Sequence, residues 1–182
     1  MKKLFVLFAI LFAFNFANAQ QMSVGIGANL FLPTGSFGDA VGTGIGGNVK
    51  FEYKLQPGIN LTGAIGYLTF SAKEADFGWE YSVIPVLVGA KYFFAKGTPV
   101  YGTLEAGMNF ASVTVKIPTY VIGGVTYGGG EVSESGSNFG YVFGAGYELP
   151  LGKAILDISA KYQTFESEVS GINIGVAYKL PI

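Results

Sequence analysis

A nearly regular alternation of apolar and polar residues over eight segments is the feature that most limits how this chain can fold. In residues 154–163, for example, Leu156 and Ile158 alternate with Asp157 and Ser159. Successive side chains of a β-strand point to opposite faces, so this period of two predicts strands with one apolar and one polar face. The predicted strands span residues 22–32, 45–55, 59–70, 82–94, 100–111, 138–149, 154–163 and 171–180.

The connections between these strands alternate in length. Short connections lie at residues 56–58, 95–99 and 150–153, and long ones at 33–44, 71–81, 112–137 and 164–170. Strands of about ten residues with short turns at one end and long loops at the other are typical of bacterial transmembrane barrels. Pro85 lies inside the fourth strand, and because proline has no N–H we expect a bulge or a late start of pairing there.

A leader precedes the first strand. Lys2 and Lys3 come before the apolar run 4–14, and small residues follow at Ala17 and Ala19. This layout predicts a secretory signal peptide, residues 1–19, that is cleaved after Ala19. The alternative is an uncleaved anchor, but the run is shorter than the roughly 20 apolar residues that a spanning helix needs.

Glycines indicate which face of the strands lines the interior. Alternation alone leaves this open, because a soluble ligand-binding barrel would place its apolar face inside. Three strand glycines lie on the apolar face, whereas eleven lie on the polar face: Gly25, Gly27, Gly46, Gly66, Gly89, Gly107, Gly140, Gly144, Gly146, Gly171 and Gly175. An eight-stranded barrel is just wide enough for interior side chains, so long polar side chains fit there beside glycines.

The polar face carries nearly equal numbers of positive and negative side chains, which could pair inside a barrel. We therefore predict a lumen charge network formed by Lys50, Glu52, Lys54, Lys91, Glu105, Glu148, Asp157, Lys161 and Lys179. Aromatic residues cluster near both ends of the apolar face, as they do at membrane interfaces. The sequence thus predicts an all-β fold over residues 20–182: an eight-stranded antiparallel up-and-down transmembrane β-barrel whose apolar face meets lipid.

Two strand sequences carry a family resemblance. The segment IPVLVGAKYFF at residues 84–94 and the last strand, residues 171–180, resemble strands of the small outer-membrane β-barrel proteins of the OmpA and OmpX type, also labelled porin-family proteins. The resemblance implies export to the outer membrane of a Gram-negative bacterium. It also implies contact with outer-membrane lipid, insertion by the barrel-insertion machinery, and a monomer.

The residue inventory argues against catalysis. The chain has no histidine and no cysteine, which removes the commonest acid–base and nucleophilic groups. The remaining lumen carboxylates have lysines as partners, which favours a structural network over a catalytic dyad. We predict no catalytic residue, no metal site and no cofactor, and a formal net charge of −1 predicts no nucleic-acid partner. We expect a structural or surface-interaction role through the outer loops; the alternative is a narrow conduit for ions or small apolar solutes.

The loop at residues 112–137 is longer than a plain connection requires. Its Gly123-Gly124 pair lies between β-forming residues, which is a hairpin signal. Strands five and six are therefore expected to continue outward as a ribbon; the alternative is a mobile loop that shields the barrel mouth. The candidate interaction surface on this ribbon consists of Tyr120, Ile122, Val125 and Tyr127.

The predicted outer loops are acidic. Their positive residues are Lys73 and Lys116, and their acidic residues are Asp39, Glu74, Asp76, Glu80, Glu131, Glu134, Glu166 and Glu168. A solvated rim accounts for this composition, and direct binding of anionic groups is not expected of it.

Overall fold

The computed structural model describes residues 22–73, 78–95, 97–123, 125–166 and 169–182. The predicted signal peptide, residues 1–19, lies outside these ranges. A six-residue helix, α1 (Gly35–Ala40), follows the first strand. The strands are β1 (Met22–Thr34), β2 (Gly44–Gln56), β3 (Ile59–Ser71), β4 (Trp79–Phe93), β5 (Val100–Ile122), β6 (Val125–Leu151), β7 (Ala154–Thr164) and β8 (Ser170–Pro181). No helix in the described ranges is long and apolar enough to cross a bilayer.

The eight strands form a closed barrel in chain order. Each strand is antiparallel to its neighbours, and β8 pairs with β1 from Ser23–Pro181 to Thr34–Ser170 to complete the ring. Within the barrel wall, a closed ring pairs the backbone groups of every strand on both sides, which is the condition for crossing lipid with β-structure. The predicted barrel is confirmed, and six of the eight predicted strands differ from the observed ones by only a few residues at their ends.

The apolar face points outward and the polar face inward. Val88 is 68% exposed on the outer wall, whereas the side chains of Lys91 and Asp157 are enclosed in the lumen. The glycines follow the same division. A Cβ atom added at Gly144 would lie 2.4 Å from the carbonyl oxygen of Ala160, whereas one added at Gly63 on the outer wall would meet nothing within 4 Å. The inverted, lipid-facing arrangement is therefore confirmed.

Pro85 does not have the effect that the sequence suggested. The β3–β4 ladder is interrupted beside it, between the pairs Ile65–Val86 and Leu68–Val83, but it resumes in the same register. On its other side Pro85 pairs with Asn109 in an unbroken ladder. The expected bulge or late start was wrong, because a missing N–H removes pairing only locally on one side of the strand.

Strands β5 and β6 continue far beyond the other strands. They are 23 and 27 residues long, and their pairing ends at Ile122 and Val125. Strand β4 accompanies them only as far as the pair Trp79–Val115. The segment expected to be either a ribbon or a mobile loop is thus a two-stranded ribbon. Residues 113–134 are called the outer hairpin below.

Candidate functional site

A cluster of buried charges closes the short-turn end of the lumen. This floor cluster consists of Glu52, Lys91, Glu148, Asp157 and Lys179. Lys91 Nζ lies 2.5 Å from Glu52 Oε1 and 2.5 Å from Asp157 Oδ2. It also lies 3.0 Å from Glu148 Oε1. Lys179 Nζ lies 2.9 Å from Glu52 Oε2 and contacts Glu148. Each ammonium group is therefore shared by several carboxylates, as buried charges require.

Tyr101 completes the floor cluster from β5. Its hydroxyl donates a hydrogen bond to Asp157 Oδ1 at 2.6 Å, and Lys91 Nζ lies 4.1 Å from the centre of its ring. The ring lies against Gly146, where an added Cβ would be 2.3 Å from the tyrosine oxygen. A glycine at this inward position of β6 is therefore what admits the ring, and the ring in turn fixes Asp157.

The three carboxylates of the floor cluster lie close enough together to suggest a metal site. Oxygen atoms of Glu52, Glu148 and Asp157 all lie within 4.8 Å of one another. Lys91 contacts all three, however, and its ammonium group supplies the positive charge that a cation would bring. The arrangement is that of a structural ion-pair network. The absence of a metal site stays a prediction.

A second ion pair lies deeper in the barrel. Lys161 Nζ is 3.1 Å from Glu105 Oε1, and both side chains are almost fully buried. Thr103 donates to the same oxygen of Glu105 at 3.4 Å. Eight of the nine residues expected in the lumen charge network thus lie inside the barrel, and seven of them are ion-paired.

The two remaining lysines of that expectation behave differently. Lys54 is exposed at the rim, where the β2–β3 ladder shifts register between Lys54 and Gln56, so its ammonium group is solvated and takes no part in the lumen network. Lys50 is enclosed, at 7% exposure, but among the described residues no carboxylate lies within 4.0 Å of its Nζ atom. Counting charges along the sequence could not separate these two cases. Both lysines occupy alternate strand positions that point into the lumen, which we call inward parity.

The loop end of the lumen is closed by an apolar cluster that the sequence analysis did not predict. This roof cluster consists of Phe31, Val41, Leu68, Phe70, Tyr81, Val83, Phe165 and Val169. The ring centres of Phe31 and Phe165 are 5.0 Å apart, and those of Phe31 and Phe70 are 5.3 Å apart. Both distances are typical of packed aromatic pairs. An available signal was the run of apolar residues at inward parity near the loop ends of β1, β3 and β4.

The roof cluster is held in place by polar contacts to the loops. Asn109, on the inner wall of β5, donates to the carbonyl oxygen of Phe165 at 3.1 Å. On the other side, Val41 forms an isolated β-bridge with Ala72, and Lys73 Nζ donates to the carbonyl oxygen of Gly38. Two loops are therefore folded back into the barrel mouth, and their apolar residues seal it.

The outer hairpin leaves one edge of β6 free. The β6–β7 ladder ends at the pair Val142–Gln163. Next to it, the backbone N–H of Tyr141 donates to the Thr164 hydroxyl at 3.0 Å instead of to a backbone carbonyl of β7. Closer to the outer hairpin, Asn138 Nδ2 donates to the carboxylate of Glu166 at 2.7 Å. In the described part of the chain, residues 125–137 of β6 pair only with β5. A strand edge with unpaired backbone groups is a template for another strand.

The candidate surface residues lie at the tip of this hairpin. In the backbone register Tyr120 pairs with Tyr127 and Ile122 pairs with Val125, so the four positions are cross-strand neighbours. Their side chains fall outside what the structure describes. Of the acidic rim, Glu74, Asp76 and Glu168 also lie outside the described residues.

A closed eight-stranded barrel with an apolar outer wall and a charged lumen defines a transmembrane barrel of the bacterial outer membrane. Residues 4–179 match the sequence profile of the outer membrane protein beta-barrel domain. The chain belongs to this family, and it is a protein of the outer membrane of a Gram-negative bacterium.

Solved structures agree with this assignment of the fold. The chain is similar to Neisserial surface protein A, with a TM-score of 0.57, 17% identity, and coverage of 88% of this chain and 97% of that one. It is also similar to Ail, the attachment invasion locus protein of Yersinia pestis, in complex with the heparin analogue sucrose octasulfate; the TM-score is 0.56, the identity 16%, and the coverage 88% and 97%. At these identities the likeness concerns the fold alone. No curated protein sequence matches the chain.

Proposed function

We propose that this protein is a non-enzymatic surface-interaction barrel whose outer hairpin is the contact element. The observation that carries the proposal is the continuation of β5 and β6 from the outer wall residue Phe110 to Ile122. At about 3.3 Å per residue this stretch is roughly 40 Å long, far more than is needed to join two strands at a membrane surface. A paired ribbon holds its tip and its free edge away from the bilayer, where another macromolecule can reach them.

The charge of the rim indicates the kind of partner. The described outer segments carry Asp39, Glu80, Glu131, Glu134 and Glu166 against the lysines Lys73 and Lys116. Ail has been solved with a polyanion, a heparin analogue. An acidic rim repels polyanions and attracts positively charged surfaces, so the partner proposed here is a protein with a basic, extended segment that pairs with the β6 edge.

The closed lumen argues against the alternative role as a conduit. A conduit needs a continuous path, whereas the roof cluster fills the outer mouth with three phenylalanine rings and the floor cluster fills the inner end with shared ion pairs. An eight-stranded barrel has little interior volume to spare beyond these side chains. Both closures support a role outside the barrel rather than through it.

Shortening the outer hairpin tests the proposal directly. Deleting residues 116–121 together with residues 126–131 removes cross-strand partners in matched numbers, retains the Ile122-Gly-Gly-Val125 turn and leaves every pair between β4 and β5 in place. The variant is expected to insert and to keep its heat resistance, because the barrel wall is untouched. Adhesion of bacteria that display it to basic protein-coated surfaces is expected to fall to the level of cells without the barrel.

A charge variant separates the effect of the hairpin's length from the effect of its negative charge. Replacing Glu131 and Glu134 by glutamine keeps the hairpin length but removes two negative charges from the free strand. Partial loss of adhesion in this variant and complete loss in the shortened one is the expected order. Full adhesion of the shortened variant would show that the hairpin is not the contact element.

A further inference from the structure

A small polar cavity lies inside the barrel between the roof and floor clusters. Its volume is about 30 Å³, and its walls include Asn29, Lys50, Ser159, Lys161 and Gln163. A single water-sized occupant needs about 10–15 Å³ by the same measure, so the cavity has room for two or three such particles but not for a larger solute.

Lys50 is the unusual group in the wall of this cavity. Its side chain is more than nine-tenths buried, and among the described residues no carboxylate lies within 4.0 Å of Nζ. The nearby Glu105 is already paired with Lys161 at 3.1 Å. Burying an ammonium group with no carboxylate in contact is costly, so a small negative occupant would be favoured at this position.

The amide groups around Lys50 add further hydrogen-bond donors. Asn29 uses its carbonyl oxygen to accept from Asn48 Nδ2 at 3.1 Å, and Gln163 uses its carbonyl oxygen to accept from Asn173 Nδ2 at 2.7 Å. In each case the amide nitrogen of the accepting residue is left over as a donor. Together with the three N–H groups of Lys50, these N–H groups outnumber the two oxygens of the cavity wall that are buried without a hydrogen-bond partner, Asn48 Oδ1 and Asn173 Oδ1.

We propose that this cavity is a binding site for one small monovalent anion of the halide class, held by Lys50. The site goes beyond the interaction role of the outer hairpin and does not depend on it. The occupant places a negative charge beside Lys50, where no described carboxylate lies within 4.0 Å of Nζ, and the volume of the cavity excludes polyatomic anions such as sulfate. The anion would link β2 to β1 and β7 across the lumen, through Lys50, Asn29 and Gln163.

Bromide makes the site visible. Crystals of the refolded barrel grown in sodium bromide are expected to show an anomalous peak within hydrogen-bonding distance of Lys50 Nζ. The same peak should be absent in Lys50→Gln and present in Lys153→Gln, which alters an exposed lysine of a short turn. Electron density without an anomalous signal at this position would identify the occupant as water and overturn the proposal, as would an equal peak in Lys50→Gln.

Unfolding in solution gives a second, independent measurement. The equilibrium constant for urea unfolding of the full barrel in lipid vesicles is compared in chloride and in gluconate, an anion too large for the cavity, at constant ionic strength. With chloride at ten times its dissociation constant, the folded state of the parent chain and of Lys153→Gln should gain a factor of about 11. Lys50→Gln should show the same constant in both salts. Equal constants for the parent chain in the two salts would contradict the proposal.

Discussion

The two ends of the lumen are closed by opposite chemistries. The floor cluster is built from charged side chains on five strands, and the barrel register fixes their positions. The roof cluster is apolar, and Phe165 and Val169 come from a loop that folds back between β7 and β8. The comparison shows that a barrel interior can be sealed either by the wall itself or by its connections. The two seals should differ in strength and in how they open.

Removing a charge from the floor cluster is expected to have the largest effect. Lys91→Met removes the ammonium group that contacts all three floor carboxylates and leaves Lys179 to balance them, so the free energy of unfolding should fall by about 3–5 kcal/mol. Urea titration of the barrel in lipid vesicles measures this change. The control is Lys54→Met at the exposed rim, where a change within about 0.5 kcal/mol is expected. Similar values for the two variants would mean that the floor cluster adds nothing to stability.

Truncation within the roof cluster separates its strand residues from its loop residues. Phe70→Ala removes a ring that contacts both Phe31 and Phe165, and a loss of about 3 kcal/mol is expected. Phe165→Ala should cost clearly less in the same urea titration, because the loop that carries it can detach while the barrel stays closed. Equal losses would show that roof loop and barrel wall unfold as one unit.

The smallest expected effect is on conductance, which tests whether the floor cluster alone keeps the lumen closed. The parent barrel in a planar bilayer should show little current, since both ends of the lumen are filled. Phe165→Ala should remain as silent as the parent, because opening the roof leaves the floor cluster in place. Large, steady single-channel steps in the parent protein would refute the closed lumen and restore the conduit role.

The sequence predicts the floor better than the roof for a physical reason. The alternation along a strand assigns a residue to the lumen, and most charged residues enclosed there find an opposite charge; Glu105 and Lys161 are an example, whereas Lys50 is an exception. The roof depends on Phe165 and Val169, which follow a strand and have no parity. Their position is decided by tertiary contacts such as the hydrogen bond from Asn109. The local alternation of apolar and polar residues cannot predict a contact between residues so far apart in the sequence.

The length of the outer hairpin and the position of Lys54 illustrate the same limit. A glycine pair between β-forming residues predicts a turn, but whether the flanking residues pair depends on long stretches of backbone. The β5–β6 ladder continues to Ile122 and Val125, so the segment is a paired ribbon and not a mobile loop. Lys54 has inward parity but lies where β2 shifts register, so it reaches solvent instead of the floor cluster. Parity therefore predicts which face a residue occupies and leaves its depth along the barrel open.

The seam between β1 and β8 has a consequence for the order in which the molecule can assemble. Lys179 reaches Glu52 and Glu148 only when β8 is in place, and β8 is the strand that closes the ring with β1. Until that moment the floor carboxylates have Lys91 as their neutralising partner and remain mutually repulsive. The ring therefore closes in the same step in which Lys179 reduces the repulsion between the floor carboxylates. Because it joins strands at opposite ends of the sequence, it is expected to be a late and slow step of folding.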